Sequence, residues 1–396
     1  MDAELPSIVR LIIAERDPLL IGGRASVSIG IVLSNRLVHW GDCLPVDGLE
    51  ARNPTVRRLV DLCESRLTGQ HLVGFRPICQ HIRSAFPATG RVPLADSVRG
   101  AIEQGLLSAV ASAQGIAEHE LLIQEYETKS SELNKLDLAV IVAVNDSEAT
   151  ADGVAKLLTL RPHGIGYRLT ADLVAESIGA DAEYLIEFVG DLSHLARQLS
   201  NMEPNNPTIY ISLNGAFGRL AEDPVRYIGK IVEICRNLED AAKECPLILE
   251  DVFVFKEPLA QAANYGRLKK LLSRAPRPQT IKQAQLVATA KTIEADVLSV
   301  YCETGAIDGI VYEPLLASGL DETMSHWSLA NKGGGMNSII SYSHQPHNLF
   351  TQRWITSASN IMLATSCHQI IVNQADGYIQ LIDSVNRHIA QSLLAR

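Results

Sequence analysis

The spacing of apolar and polar positions changes character once along the chain. Over residues 25–41, ASVSIGIVLSNRLVHWG, two β-like runs flank the polar pair Ser34-Asn35, which predicts a hairpin. Three stretches with helical spacing come next: PTVRRLVDLCESRL (54–67), FRPICQHIRSAF (75–86) and LADSVRGAIEQGLLSAVASAQG (94–115). In the last, Val98, Ala101, Ile102, Gly105, Leu106, Ala109 and Val110 recur every three or four residues, the period of one buried helix face. A hairpin succeeded by helices predicts an α+β unit, with the polar segment YETKSSELNK (126–135) as its junction to the rest of the chain.

From Leu136 onward strands and helices alternate. Eight β-like segments lie at 136–144, 159–169, 208–214, 246–252, 283–289, 308–314, 337–343 and 368–373. Helical patterns separate most of them, most clearly at 182–199, 224–243 and 352–365. The strands are continuously apolar rather than alternating, which suits a parallel sheet covered on both faces. Eight β/α repeats predict a (β/α)8 barrel. The competing reading is an open doubly wound sheet. Against it, the segment after the first of these strands, VAVNDSEATADG, contains no G-x-G-x-x-G phosphate loop. The expected organisation is therefore an N-terminal α+β domain over 1–132 and a barrel over 133–396.

Composition narrows the function classes. The chain has 396 residues, 46% apolar and 20% charged, and a formal net charge of −10. Without a basic run interleaved with aromatics, a nucleic-acid or anionic-membrane surface is disfavoured. The longest apolar runs are strand-sized, short of the ~20 residues that span a bilayer. The acidic start MDAELPSIVR predicts no secretory signal. Seven scattered cysteines with no C-x-x-C pair read as reduced thiols of a cytoplasmic protein.

In such a barrel, chemistry sits where strands end at the C-terminal mouth. The residues there are Val144, Asn145, His163, Ser212, Asn214, Glu250, Asp251, Thr289, Lys291, Tyr312, Glu313, Ser341 to His344, and Asn373. His163, Glu250, Lys291 and His344 can titrate and form a candidate acid/base set. One carboxylate, Glu250, between the hydroxyls of Ser212 and Thr289 makes a poor Mg²⁺ site. Strand alternation is expected to turn Asp251 to the opposite face from Glu250. His344 and His347 are three apart around a proline, with no identifiable third ligand for a transition metal. The triplet KGGGM (332–336) precedes a strand and reads as a loop rather than a phosphate cradle.

In their order along the chain, these segments resemble the methylaspartate ammonia-lyase family of the enolase superfamily. The resemblance is carried by SVSIGIVLSNRLVHWGDCLPV (26–46), RPHGIG (161–166), YISLNGAFG (210–218), LILED (247–251), QLVATAK (285–291), IVYEP (310–314) and DSVNRHIA (383–390). It implies a TIM-type barrel preceded by an α+β capping domain, and a homodimer. It also implies a Mg²⁺ held by three carboxylates at the ends of strands three, four and five, with a lysine base after strand six facing a histidine. Carried over residue by residue, His163 matches the histidine and Glu250 the middle metal ligand. Ser212 and Thr289 stand where the other two carboxylates belong, Tyr312 where the lysine belongs, and His344-Gln345 where a Thr-Cys pair belongs. Losing two anionic ligands disfavours Mg²⁺, and a phenol of pKa ~10 is a poor base at neutral pH.

Three functions compete. The first is a metal-independent lyase or isomerase with no cofactor, acting on a small anionic carboxylate metabolite. Its catalytic groups would be His163, Lys291, Glu250 and Tyr312, and its substrate-binding groups Ser212, Asn214, Thr289, His344 and Gln345. The second is a catalytically inactive binding or accessory protein. The third is a Mg²⁺-dependent carbon–nitrogen lyase that recruits replacement ligands such as Asp251 or Glu313.

Overall fold

The computed structural model describes residues 5–16, 26–43, 46–86, 92–126, 137–143, 164–169, 179, 181–200, 206–220, 226–255, 257–289, 295–312, 319–332, 336–342 and 361–367. The chain divides into two units.

The described residues of the first unit lie within 5–126 and 319–328. Three antiparallel strands, β1 (Ile8–Arg16), β2 (Ser26–Leu33) and β3 (Val38–Asp42), form a sheet in that order. The predicted hairpin joins β2 to β3 through a tight turn in which Arg36 takes a positive φ of 69°. β1 was not among the predicted strands. Four helices succeed the sheet: α1 (Pro54–Leu67), α2 (Phe75–Arg83), α3 (Pro93–Gln114) and α4 (Glu118–Tyr126). Asn53 caps α1 by accepting the Thr55 N–H at 2.8 Å, and Pro54 occupies the first helical position, where its missing N–H costs nothing. α3 buries Val98, Ala101, Ile102, Leu106 and Val110, the periodic positions of the sequence, and ends at Gly115 in the left-handed conformation.

α3 and β3 approach closely. Gln104 accepts the Asp42 N–H at 3.2 Å and donates to the Asp42 carbonyl at 3.1 Å, so its amide substitutes for a strand partner. A Cβ on Gly41 would lie 1.9 Å from the Ala101 carbonyl oxygen. Gly41→Ala therefore requires backbone movement. It is expected to cost about 1–3 kcal/mol, read as a lower urea midpoint at unchanged slope.

A buried ionic cluster lies in the same unit. Arg99 Nε donates to Glu103 Oε1 at 2.7 Å, with the two side chains 5% and 0% exposed. Glu103 Oε2 accepts the N–H of Asp321 at 3.0 Å, and the Tyr126 hydroxyl donates to Asp321 at 2.6 Å. Burial raises the Glu103 carboxyl above its usual range; Arg99 opposes the rise and Asp321 adds to it.

The described residues of the second unit lie within 137–312, 329–342 and 361–367. Eight strands close into a barrel: β4 (Asp137–Ala143), β5 (Gly164–Arg168), β6 (Thr208–Ser212), β7 (Leu247–Glu250), β8 (Gln285–Thr289), β9 (Gly309–Tyr312), β10 (Asn337–Tyr342) and β11 (Ile361–Cys367). Every neighbouring pair is parallel, with β11 pairing both β10 and β4. Its helices are α5 (Glu183–Ser200), α6 (Ala216–Leu220), α7 (Ile228–Ala242), α8 (Pro258–Arg274) and α9 (Ala295–Thr304). A further helix, α10 (Leu320–Lys332), belongs to the first unit as far as Ser328.

Two elements differ from expectation. The eighth strand is Ile361–Cys367 rather than 368–373, which lies outside the described residues. The helix expected over 352–365 therefore cannot continue beyond residue 360. Ile361-Met362-Leu363-Ala364 fits a helix turn or a strand equally well by pattern, and pairing on both sides makes it a strand. Tyr210, Ile248, Val287, Val311 and Ile339, from five strands, form one interior layer of the barrel core. Side chains two residues further along a strand share the same face, so the next layer toward the mouth contains Ser212, Glu250 and Thr289. Among the described residues six cysteines are free thiols, five of them buried. No described helix is long and apolar enough to cross a membrane.

Candidate active site

The last residues of β5 to β8 bring charge and hydroxyl groups together at the mouth. The register pairs Arg168 with Ser212 and Ser212 with Glu250. Thr289, the last residue of β8, donates its hydroxyl to Glu250 Oε1 at 2.9 Å. Arg168 Nη2 stands 4.0 Å from Glu250 Oε2. Glu250 is only 2% exposed, and its Oε2 has no hydrogen-bond partner among the described residues. Beneath it lies the Tyr210 hydroxyl, buried and next to the Glu250 carboxylate. Burial, and then the nearby Glu250 carboxylate, raise that phenol well above its ordinary value, against the pull of Arg168.

Asp251 departs from the expected alternation. β7 ends at Glu250, and Asp251 takes a left-handed φ of 48°, so its side chain no longer follows the strand pleat. Its Oδ1 accepts the Thr289 N–H at 2.9 Å and its Oδ2 the Thr289 hydroxyl at 2.5 Å. Glu250 and Asp251 thus meet at the same hydroxyl instead of pointing apart. The peptide ladder also continues past the strands. Leu169 N–H donates to the Ser212 carbonyl (2.9 Å), Leu213 to Glu250 (2.8 Å), Gly215 to Asp251 (2.6 Å) and Asp251 to Val287 (3.1 Å). Asn214, exposed in the same turn, has a positive φ of 49°.

The predicted site residues fare unequally. Ser212, Glu250 and Thr289 lie together, with Asn214 in the adjoining turn. Tyr312 is the last residue of β9, and its side chain is not among those described. His163, Lys291, His344 and Gln345 lie outside the described residues, as does Glu313. The second barrel strand was expected within 159–169, with His163 as its mouth residue. It instead begins at Gly164, paired with the first residue of β6, and ends at Arg168. Arg168 and Tyr210 were not singled out in the sequence. The signal for Arg168 was present, since a basic residue after Gly-Ile-Gly-Tyr could end a strand.

A cavity of ≈ 570 Å³ lies at the other end of the barrel, lined by Lys269, Gln285 and Asp308 among others. Lys269 is engaged there with Asp308 at 2.8 Å and with the Gly305 carbonyl at 2.8 Å.

The fold of the barrel and of the preceding α+β unit is similar to that of solved enolase-superfamily structures. A solved structure described as a mandelate racemase/muconate lactonizing enzyme superposes with a TM-score of 0.63 at 14% identity, covering 92% of this chain and 87% of that one. Within that class the likeness runs to methylaspartate ammonia-lyases. The chain is 27% identical over 237 residues to the enzyme of Citrobacter amalonaticus, covering 57% of this chain and 54% of that protein, about half its length. It is 21% identical over 389 residues to the Haloarcula marismortui enzyme, covering 93% and 85%. The solved β-methylaspartase of Clostridium tetanomorphum, a Mg complex, superposes with a TM-score of 0.71 at 18% identity over 97% of this chain and 98% of that one. No family model matches the chain.

Magnesium favours several hard, anionic oxygen donors in octahedral geometry. In the described part of this site the ends of β6 and β8 supply neutral hydroxyls. The single Thr289 hydroxyl hydrogen is shared between the Glu250 and Asp251 carboxylates, Asp251 also accepts the Thr289 N–H, and a guanidinium stands beside Glu250. Among the described residues no three His, Cys, Asp or Glu side chains group to hold a metal. Among the described residues, the ends of β6 and β8 therefore supply no anionic oxygen of the kind a divalent cation favours.

Proposed function

We propose that the barrel mouth is the site of a metal-independent lyase or isomerase acting on a small carboxylate metabolite. The observation that carries this reading is Glu250, held in the layer above the barrel core with one oxygen fixed by Thr289 and the other buried with no hydrogen-bond partner among the described residues. A carboxylate so placed can take a proton from carbon. In an elimination, the C–H electron pair becomes a double bond, and the amine or hydroxyl on the neighbouring carbon leaves with a proton from an acid. His163, Lys291 and Tyr312 are the proposed partners in that proton transfer. Ser212, Asn214, Thr289, His344 and Gln345 are the proposed substrate contacts. The protein is proposed to work as a cytoplasmic homodimer.

The test is a screen of amino- and hydroxy-carboxylates for release of ammonia or water, in EDTA and in Mg²⁺. It includes (2S,3S)-3-methylaspartic acid, the ligand in a solved Citrobacter amalonaticus structure. Turnover is expected to survive EDTA and to be lost in His163→Ala and Lys291→Ala. A divalent ion at a hundredfold over its Kd would add about 2.7 kcal/mol of stability. No such rise in melting temperature with Mg²⁺ is expected; a rise would restore the metal-dependent reading. Binding without turnover of any substrate would make the protein an accessory carrier.

A further inference from the structure

We infer that Arg168 is the resident cation of the barrel mouth, and that it anchors a ligand carboxylate without a divalent ion. The inference depends on the proposed lyase or isomerase site and identifies what holds the substrate in it.

Arg168 ends β5 in register with Ser212, which is in register with Glu250, so three adjacent strand ends present a guanidinium, a hydroxyl and a carboxylate in sequence. The guanidinium approaches Glu250 Oε2 to 4.0 Å, within reach of its charge but beyond hydrogen-bond distance. That buried oxygen has no hydrogen-bond partner among the described residues. The other nearby carboxylate, Asp251, directs both its oxygens to Thr289. A built-in positive charge thus stands next to the site's acids, on the wall where the strand ends open.

The Arg168 side chain is 22% exposed and Glu250 only 2%, so the guanidinium is the more accessible of the two charges. Guanidinium chemistry suits the role. It stays charged at any working pH, and its planar fork can donate two parallel hydrogen bonds to one carboxylate, which an ammonium cannot do. The oxyanion that a Mg²⁺ would otherwise coordinate is held by a charge belonging to the chain itself.

The experiment is calorimetric titration of the full-length protein in EDTA with acetate, lactate, succinate and 3-methylaspartate, and with neutral succinamide as control. At least one carboxylate is expected to bind in EDTA and succinamide is not. Arg168→Met is expected to weaken binding roughly 10- to 100-fold, as loss of a charged hydrogen-bonded contact does, with Arg168→Lys in between. Should Arg168→Met fail to fold, the Arg168→Lys titration and the contrast between succinate and succinamide in the unaltered protein decide. Three results would overturn the inference: no carboxylate binding, binding that needs Mg²⁺, or binding by Arg168→Met equal to the unaltered protein. Binding that depends on Arg168 without any turnover leaves the inference standing and removes the enzyme reading. Turnover that is indifferent to Arg168 does the reverse.

Discussion

Glu250→Gln is expected to lower turnover of whichever carboxylate proves to be the substrate by about 10²–10⁴-fold, the usual worth of a positioned acid or base. The substitution keeps the shape of the side chain. Its amide oxygen can still accept the Thr289 hydroxyl that Glu250 accepts at 2.9 Å. It also removes a buried charge whose second oxygen lacks a hydrogen-bond partner among the described residues, so the fold loses little. Melting temperature should therefore stay within a few degrees while kcat falls. The measurement is steady-state kinetics beside a thermal melt. Turnover close to that of the unaltered protein would remove Glu250 from the chemistry, and with it the observation on which the proposed function rests.

Glu103→Ala, in the first unit, carries the largest expected loss of stability, about 3–5 kcal/mol, because removing one member of a buried ion pair strands the other. Arg99 is 4% exposed and one of its terminal nitrogens already has no hydrogen-bond partner among the described residues. Glu103 also receives the Asp321 N–H at the start of α10, which the alanine would leave unmet. Urea denaturation monitored on this unit measures the loss. The double variant Arg99→Met/Glu103→Leu should regain part of it, because neither member of the pair is left stranded while the Asp321 N–H stays unmet. The pH dependence has a definite sign. The Glu103 carboxyl is raised in the folded state, so its contribution is fully present below the unfolded glutamate value and declines as pH climbs through the folded one. The gap between the unaltered protein and Glu103→Ala should narrow over that climb.

Most of the barrel was legible because its strands are short, continuously apolar runs, such as Ile209-Tyr210-Ile211 and Leu247-Ile248-Leu249, flanked by turns or helices. The eighth was misplaced, since local pattern does not distinguish a strand from a helix turn when the apolar run is this short. The pairing partners that decide it are distant in sequence. β1 escaped notice for a related reason. Buried Ile8 and Leu11 are three apart, and a register shift between Ile8 and Arg10 breaks the clean alternation. The end of β5 at Arg168 lies inside the range 159–169 read from the sequence, but the mouth residue named for that strand was His163. In the barrel Gly166 pairs with Tyr210, whose large ring occupies the interior at that level, so a residue without a side chain suits the position. With His163 named as the mouth residue, Arg168 at the far end of the same range was not singled out. The Ser212–Glu250–Thr289 layer was legible from strand ends alone. The meeting of Asp251 with Thr289 was not, because regular strand alternation was assumed where Asp251, a residue type that tolerates the left-handed region, leaves the pleat.

The turns at Asn214 and Asp251, after two consecutive strands, are set in conformations that residues with side chains seldom adopt, and peptide hydrogen bonds tie one to the other. The wall they form is already in its final shape before any ligand arrives. Little entropy is left to lose on that side, so more of the interaction energy is available to discriminate one ligand from another.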